Sequence, residues 1–421
     1  MEKAAMMYIL QAAKKQWNLE GTALGLLGSA SGFGQVIGAF LFGRLSDSYG
    51  RRKSLLGALG LTLVLGLASA GVDSYIAFMV LRFAVNIGLA GAMPCAFTLL
   101  QECFPIHERT KWSALLYSCY GIGRILTALA AWVLLDFSWR MYMLAIALPG
   151  GVLLVCCRSL PESPHFLLAQ GRQDEAKSVI EDIAAKNGSL SPISDKTRLL
   201  LDRQDTNVES RWKSLATPSA QILCMMWLLV SLGTEWFNWA VPIMRNNGAP
   251  ASITYGSLII FNTNELVVPL IIASLPKSLL ARNSRGMLAS SNAFAATSLA
   301  CFGMSIFFEL PVRLSIFLSI VAAYGGISVW VMHYNITPRY FPSRVRGTGF
   351  GMCQFLNRLG YIIGPLVASN LVDAHEISLL LACTSCYFIL LVFAQCLQPL
   401  SEAEGDDPSI VSELSGSHVS P

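Results

Sequence analysis

The chain alternates long apolar runs with short polar connections. A helix needs roughly 20 predominantly apolar residues to cross the hydrocarbon core of a bilayer. Eleven runs reach or approach that length, at about 22–43, 54–71, 75–100, 111–136, 140–158, 218–243, 253–275, 287–308, 312–336, 347–373 and 376–397. They fill more than half of the chain and leave no room for a soluble catalytic domain. The pattern therefore predicts an all-α, polytopic membrane protein with about 11 transmembrane helices. One long connection, 160–217, separates five runs from six. It divides the chain into a first bundle (1–159), a central loop, a second bundle (218–397) and a tail (398–421). Within the loop, Phe166, Leu167, Leu168, Ala176, Val179 and Ile183 recur at helical spacing, which predicts a short amphipathic helical region. The tail is acidic, has no Lys or Arg, and reads as disordered.

Composition supports this reading. The chain is 54% hydrophobic and 13% charged, against about 25% charged in soluble domains. Lys and Arg collect in alternate connections: Arg44, Arg51, Arg52 and Lys53; Arg109 and Lys111; the central loop; Lys277, Arg282 and Arg285; Arg339, Arg344 and Arg346. The opposite connections carry only Arg140, Arg245 and Arg313. Basic loops face the cytoplasm, so the central loop and the C-terminus are placed there. Eleven spans then put the N-terminus outside, although Lys3, Lys14 and Lys15 belong inside. The run 4–13 fits the outer end of a first helix that is incomplete here, and no signal-peptide pattern accompanies it. No basic amphipathic face points to nucleic acid. The cysteines in apolar runs, among them Cys95, Cys156, Cys157, Cys224, Cys301 and Cys396, read as small buried apolar residues, as do Cys383 and Cys386. No metal-ligand set, catalytic triad or G-x-x-x-x-G-K-S/T phosphate loop is present, so the chain reads as neither an enzyme nor an ATP-driven pump, and no cofactor is expected.

The connection after the first full span contains Gly43, Asp47, Gly50, Arg51, Arg52 and Lys53 in the frame G-x-L-x-D-x-x-G-R-R-K. Gly43 permits close helix approach, Gly50 can adopt the positive φ of a tight turn, and Asp47 can pair with an Arg or sit on a helix N-terminus. A second motif runs Pro161, Glu162, Ser163, Pro164, His165, Phe166, Leu167; a third runs from Glu102 through Pro105 to Arg109. The third recurs as Pro342 to Arg346, about 240 residues on, as two related halves would give. These motifs resemble the loop signatures of the major facilitator superfamily. The stretch from Arg344 through Gly347, Cys353, Asn357 and Arg358 to Gly364 and Pro365 resembles its synaptic-vesicle-two-related and organic-ion group. The resemblance implies two helical bundles around a central cavity, a monomer in the lipid of the plasma membrane or a vesicle, and transport of a small organic solute by alternating access. It also implies that Gly43, Asp47, Gly50, Arg51, Arg52, Glu102, Arg109, Glu162 and Arg346 belong to the inner gating network.

Ionisable residues inside the membrane are costly and mark function by default. Arg82, Arg124 and Arg358 qualify, with Tyr120 and Gln354 one turn from the last two; the acids are Glu265 and Glu235. All seven are candidate substrate-binding residues. In organic-ion transporters an Arg at the position matching Arg358 accompanies anionic substrates, so the resemblance implies an organic anion held by Arg358 and Arg124. An organic cation or a sugar is the alternative cargo, and a non-transporting, receptor-like protein is the alternative class. Glu265 can pair structurally with an Arg or carry a co-transported proton. His333, Tyr334 and Asn335 lie near a cytoplasmic end and read as a solvated interface. The second half departs from the family pattern, because the loop 275–286 has no carboxylate and Arg339 stands where a Glu is expected. Lys277, Arg282, Arg285, Arg339, Arg344 and Arg346 would then repel one another. The acidic tail (Glu402, Glu404, Asp406, Asp407) or anionic lipid is the expected counter-charge.

Overall fold

A computed structural model describes residues 16–17, 21–104, 106–134, 138–187, 217–246, 251–275, 284–341 and 345–397. The first bundle contains α1 (Gly21–Tyr49), α2 (Arg51–Ala70), α3 (Tyr75–Cys103), α4 (Ile106–Leu134) and α5 (Trp139–Cys157). Two short helices follow, α6 (Pro164–Ala169) and α7 (Gln173–Lys186). The second bundle contains α8 (Pro218–Gly233), α9 (Trp236–Asn246), α10 (Ala251–Ser274), α11 (Ser284–Phe307), α12 (Val312–Ile336), α13 (Arg346–Ala374) and α14 (Glu376–Cys396), with a 3-10 turn at Thr337–Tyr340. Helix coincides with every expected span. The incomplete first helix, the acidic tail, residues 188–216 of the central loop, Lys277, Arg282 and Arg344 lie outside the described residues.

Local chemistry sets several helix starts. Ser163 and Thr217 accept from the backbone N–H groups of Phe166 (3.2 Å) and Ala220 (3.3 Å), and Pro164 and Pro218 occupy the first turn. A hydroxyl there satisfies an otherwise orphaned N–H, and proline loses nothing by lacking one. Six helices among the described residues are apolar and long enough to cross a membrane by length and composition alone. Their outward faces carry exposed large apolar side chains, such as Val152 and Val155 on α5 and Phe388 and Val392 on α14. Lipid covers such a belt; water would not.

Three expectations need correction. The span expected at 218–243 is broken, because α8 stops at Gly233 and α9 starts at Trp236. The Thr234 hydroxyl donates to the carbonyl oxygens of Val230 (2.9 Å) and Ser231 (3.0 Å), at the last turn of α8. Stacking of Trp236 on Phe237 (4.5 Å between centroids) and packing of Trp236 against Phe302 then anchor the restart. His333, Tyr334 and Asn335 are buried and are not a solvated interface: His333 packs against Trp227 inside the second bundle, and Tyr334 and Asn335 lie against the first bundle. Cys119, Cys156, Cys301 and Cys396 are exposed on helix surfaces, whereas Cys95, Cys353 and Cys383 are buried. An apolar run in a membrane protein has a lipid face as well as a core face, so apolar context does not imply burial.

Candidate functional site

Two groups of predicted residues meet where the bundles touch. The deeper one lies mid-membrane. Arg124 of α4 and Glu265 of α10 form an ion pair across the bundle interface at 2.6 Å, with side chains 31% and 10% exposed. A close backbone approach makes this possible: a Cβ on Gly121 would lie 2.8 Å from the carbonyl carbon of Glu265. Arg358 of α13 is 7% exposed, and its guanidinium stands 5.8 Å from the centre of the Tyr361 ring. Its Nε–H is buried and takes no hydrogen bond among the described residues. Tyr361 in turn lies within electrostatic reach of Arg358, Glu235 and Glu265, and Tyr120 within reach of Glu265, Arg124 and Arg358. Gln354 is buried one turn before Arg358 and accepts from the Tyr334 hydroxyl at 3.4 Å. Glu235 is buried at the break between α8 and α9, against Gly364 of α13.

Arg82 sits apart from this group in its packing. It is fully buried in the first bundle. Its carbonyl accepts from Asn86 (2.8 Å), and Asn86 accepts from Gln35 of α1 (3.0 Å), which ties this turn of α3 to α1.

Next to the mid-membrane group, aromatic rings from both bundles pack against one another. Tyr334 of α12 stacks on Phe97 of α3 (4.7 Å) and meets Tyr117 of α4 (5.6 Å), Trp227 of α8 (5.0 Å) and Phe350 of α13 (5.8 Å). The sequence reading missed this cluster, because each ring looks like an ordinary apolar residue of its own span. Only their convergence from five helices distinguishes them.

The second group lies at the helix ends that join the basic loops. Asp47 accepts from the backbone N–H groups of Gly347 (3.0 Å) and Thr348 (2.6 Å), at the N-terminus of α13, and pairs with Arg51 at 3.3 Å. Both roles open to this carboxylate are thus filled at once, across the bundle boundary. The helix dipole and two free N–H groups favour an anion at that point. Gly43 permits the contact: a Cβ there would lie 2.5 Å from the Gly347 carbonyl oxygen. Glu102 is the hub. It accepts from Arg51 at 2.8 and 3.2 Å within its own bundle and from Arg346 at 2.9 Å across the boundary. Gly50 has φ +109°, and a Cβ on it would meet the Glu162 carboxylate at 2.4 Å. Glu162 accepts from the backbone N–H of Arg52 (3.0 Å), and the Arg52 side chain donates to the Arg158 carbonyl. The Arg51 guanidinium lies 4.9 Å over Phe166, and Gln170 donates to the Asp47 carbonyl at 3.3 Å, so α6 braces the loop from outside. Arg109 donates to the Phe104 carbonyl (2.9 Å) and Arg346 to the Phe341 carbonyl (3.1 Å). The internal repeat thus recurs as the same backbone bond in each half.

The expected repulsion within the second-half basic cluster is also corrected for its described members. Arg346 is paired with Glu102. Arg339 donates to Thr110 (2.9 Å) and Asn335 (2.8 Å). Arg285 donates to the carbonyls of Ala394 (3.1 Å) and Gln395 at the C-terminus of α14, where a helix dipole favours a cation.

Residues 1–262 match the family profile described as Major Facilitator Superfamily. The chain belongs to the major facilitator superfamily. Membership makes it a multi-pass membrane transporter of small organic solutes. The niacin transporter NiaP of Acinetobacter baylyi is 25% identical over 89% of this chain and 84% of its own length. The synaptic vesicle 2-related protein of Xenopus laevis is 27% identical over 91% of this chain and 72% of its own. The proton:xylose symporter XylE has the same fold, with a TM-score of 0.79 at 17% identity, over 94% of this chain and 92% of the other. Together, the contacts of Asp47, Glu102, Phe97 and Tyr117 with the opposite bundle hold the two bundles against each other on the side of the basic loops.

Proposed function

We propose that the protein carries a small organic anion, a carboxylate in the simplest case, by alternating access, with Arg358 as the group that binds it. One observation carries this reading: a guanidinium buried mid-membrane between the bundles keeps an N–H without a hydrogen-bond partner among the described residues. A buried cationic donor left unmatched is costly, and a carboxylate supplies the missing acceptor in charge-assisted geometry. Gln354, Tyr120 and Glu235 complete the proposed site, and Arg82 braces it from within the first bundle. Arg124 is already neutralised by Glu265 in this structure, so in this reading it joins the site only when Glu265 lets go, and Glu265 then takes the co-transported proton. The niacin carried by the Acinetobacter relative is itself a small carboxylate, which supports the class.

A second reading, an organic cation, rests on Glu235. With Glu265 opposite Arg124, the two acids of this group equal its two arginines, and Glu235 can face a cationic centre. Uptake into proteoliposomes separates the readings. Labelled carboxylates, amines and hexoses are compared for the wild type, Arg358→Lys and Arg358→Ala. Carboxylate uptake that is lost in Arg358→Ala and partly kept in Arg358→Lys supports the anion. Amine uptake indifferent to Arg358 but lost in Glu235→Gln supports the cation. No uptake of any class points to the receptor-like alternative.

A further inference from the structure

The exposed cysteines stand at different depths. They are Cys119, Cys156, Cys301 and Cys396. Cys119 lies near the middle of α4, and Cys301 lies toward the end of α11 that is remote from the basic loops. Cys156 and Cys396 instead occupy the last turns of α5 and α14, on the side of the basic loops. Two contacts fix that side. Arg52, at the start of α2, donates to the carbonyl of Arg158, two residues after Cys156. Arg285, at the start of α11, donates to the carbonyls of Ala394 and Gln395, immediately before Cys396.

Helix residues four apart share a face. On α5, Leu148, Val152 and Cys156 follow at that spacing, and both aliphatic side chains are exposed. On α14, Val392 stands four residues before Cys396 and is exposed as well. Each thiol therefore continues a stripe that faces lipid. The 19 residues of α5 span about 28 Å at 1.5 Å per residue, against roughly 30 Å of hydrocarbon. Its last turn thus lies where acyl chains give way to headgroups, and the exposed Arg158 follows directly. Other thiols at this level are turned away. Cys103 ends α3, and Cys157 points about 100° from Cys156 around its helix. Both pack against the apolar cluster that includes Phe42, Leu55 and Ala58.

From this placement we infer that Cys156 and Cys396 are sites of S-acylation by a long-chain fatty acyl-CoA. The cysteine Sγ attacks the thioester carbonyl carbon. A new C–S bond forms, the bond to the coenzyme sulfur breaks, and the thiol proton leaves with free coenzyme A. Cysteines beside a membrane span are acceptors for this modification, and the charge rule places the basic loops in the cytoplasm. An acyl chain on either thiol runs back into the leaflet along its own stripe and buries its methylenes in lipid without crossing the headgroups. Reaching Cys119 would draw the charged coenzyme into the hydrocarbon, and Cys301 lies toward the opposite face. The inference is independent of the cargo and of alternating access.

Acyl exchange counts the modified thiols. The full chain is expressed in eukaryotic cells, free thiols are blocked, hydroxylamine cleaves the thioesters, and each released thiol takes one mass tag. The same treatment leaves both positions open to other labels. The wild type is expected to show a species with two hydroxylamine-dependent tags. Cys156→Ser and Cys396→Ser each lose one tag, and the double variant loses both. Cys103→Ser, Cys119→Ser and Cys157→Ser keep two. Incorporation of an alkynyl fatty acid is expected to follow the same pattern. If a serine variant fails to fold, mapping the tagged peptides of the wild type locates the thiols directly. No hydroxylamine-dependent tag in the wild type overturns the inference. So does a pattern unchanged in the double variant, or tags on Cys103, Cys119, Cys157 or Cys301. A single tag that follows one serine variant overturns the inference for the other thiol.

Discussion

Glu102→Gln separates the two jobs of the ionic hub. In the closed state Glu102 accepts from Arg51 inside its own bundle and from Arg346 of the other. If the bundles move as rigid bodies in alternating access, the first pairing persists when the gate opens, because both partners belong to one bundle, and the second is made only when the gate is closed. Neutralising the carboxylate therefore has two separable effects. Loss of the Arg51 pairing destabilises both states, by the roughly 3–5 kcal/mol typical of breaking one side of a buried ion pair. Loss of the Arg346 pairing destabilises the closed state alone, by about 1.5–3 kcal/mol for a hydrogen bond between charged groups. That second term raises the open-to-closed ratio about tenfold to a hundredfold. Thermal unfolding in detergent reads the first term, and the distance between labels on Cys156 and Cys396 reads the second. Asp47→Asn is the comparison weighted toward the gate, because its bonds to the N–H groups of Gly347 and Thr348 are cross-bundle, while its 3.3 Å pairing with Arg51 stays within the first bundle. A Glu102→Gln protein that melts early but keeps the wild-type distance distribution would refute the gating role and leave Glu102 as scaffold.

Two further outcomes follow from single contacts. Exchanging Arg124 and Glu265 keeps the cross-bundle pair but reverses its polarity; Arg124→Glu alone sets two carboxylates face to face and lowers the melting temperature, and adding Glu265→Arg restores it. If the double variant melts no higher than the single one, the 2.6 Å pair does not hold the bundles together. Gly50→Ala forces an L-residue into φ +109° beside the Glu162 carboxylate; a cost of about 1–3 kcal/mol appears as a lower melting temperature, and an unchanged one would mean the turn relaxes freely.

How far these sites could be read from the sequence depended on how local their chemistry is. Asp47, Gly43 and Gly50 were legible because a spaced motif encodes a turn, a close approach and a cap, and each appears at its residue. The membrane spans were legible because lipid demands unbroken apolar length. The break at Thr234 was not, because an apolar count does not register where a helix stops and restarts within one apolar run. Tyr334 and Asn335 were misassigned to a wet interface for a related reason: distance from a helix end is visible in the sequence, but the opposite bundle that covers them is not. The same blindness left Arg339 and Arg346 as mutually repelling charges. Their partners, Thr110 and Glu102, lie more than 200 residues away in sequence.

The internal repeat offers a control that the protein carries itself. Arg109 and Arg346 occupy equivalent positions, and each donates to the carbonyl of the phenylalanine five residues before it. That bond fixes a local corner and lies within one bundle. Arg346 adds a second contact, to Glu102 of the opposite bundle, because an acid stands at 102, whereas Arg stands at the matching position 339. Arg109→Gln and Arg346→Gln thus remove the same corner bond, and both are expected to lower the melting temperature, Arg346→Gln by more because it also breaks the buried pairing with Glu102. Arg346→Gln also removes the cross-bundle bond to Glu102, so it is expected to lengthen the distance between Cys156 and Cys396 more than Arg109→Gln does. Equal lengthening in both would mean that the corner itself controls the gate and the cross-bundle charge does not. A larger shift in Arg346→Gln assigns the closing force to the cross-bundle bond between Arg346 and Glu102.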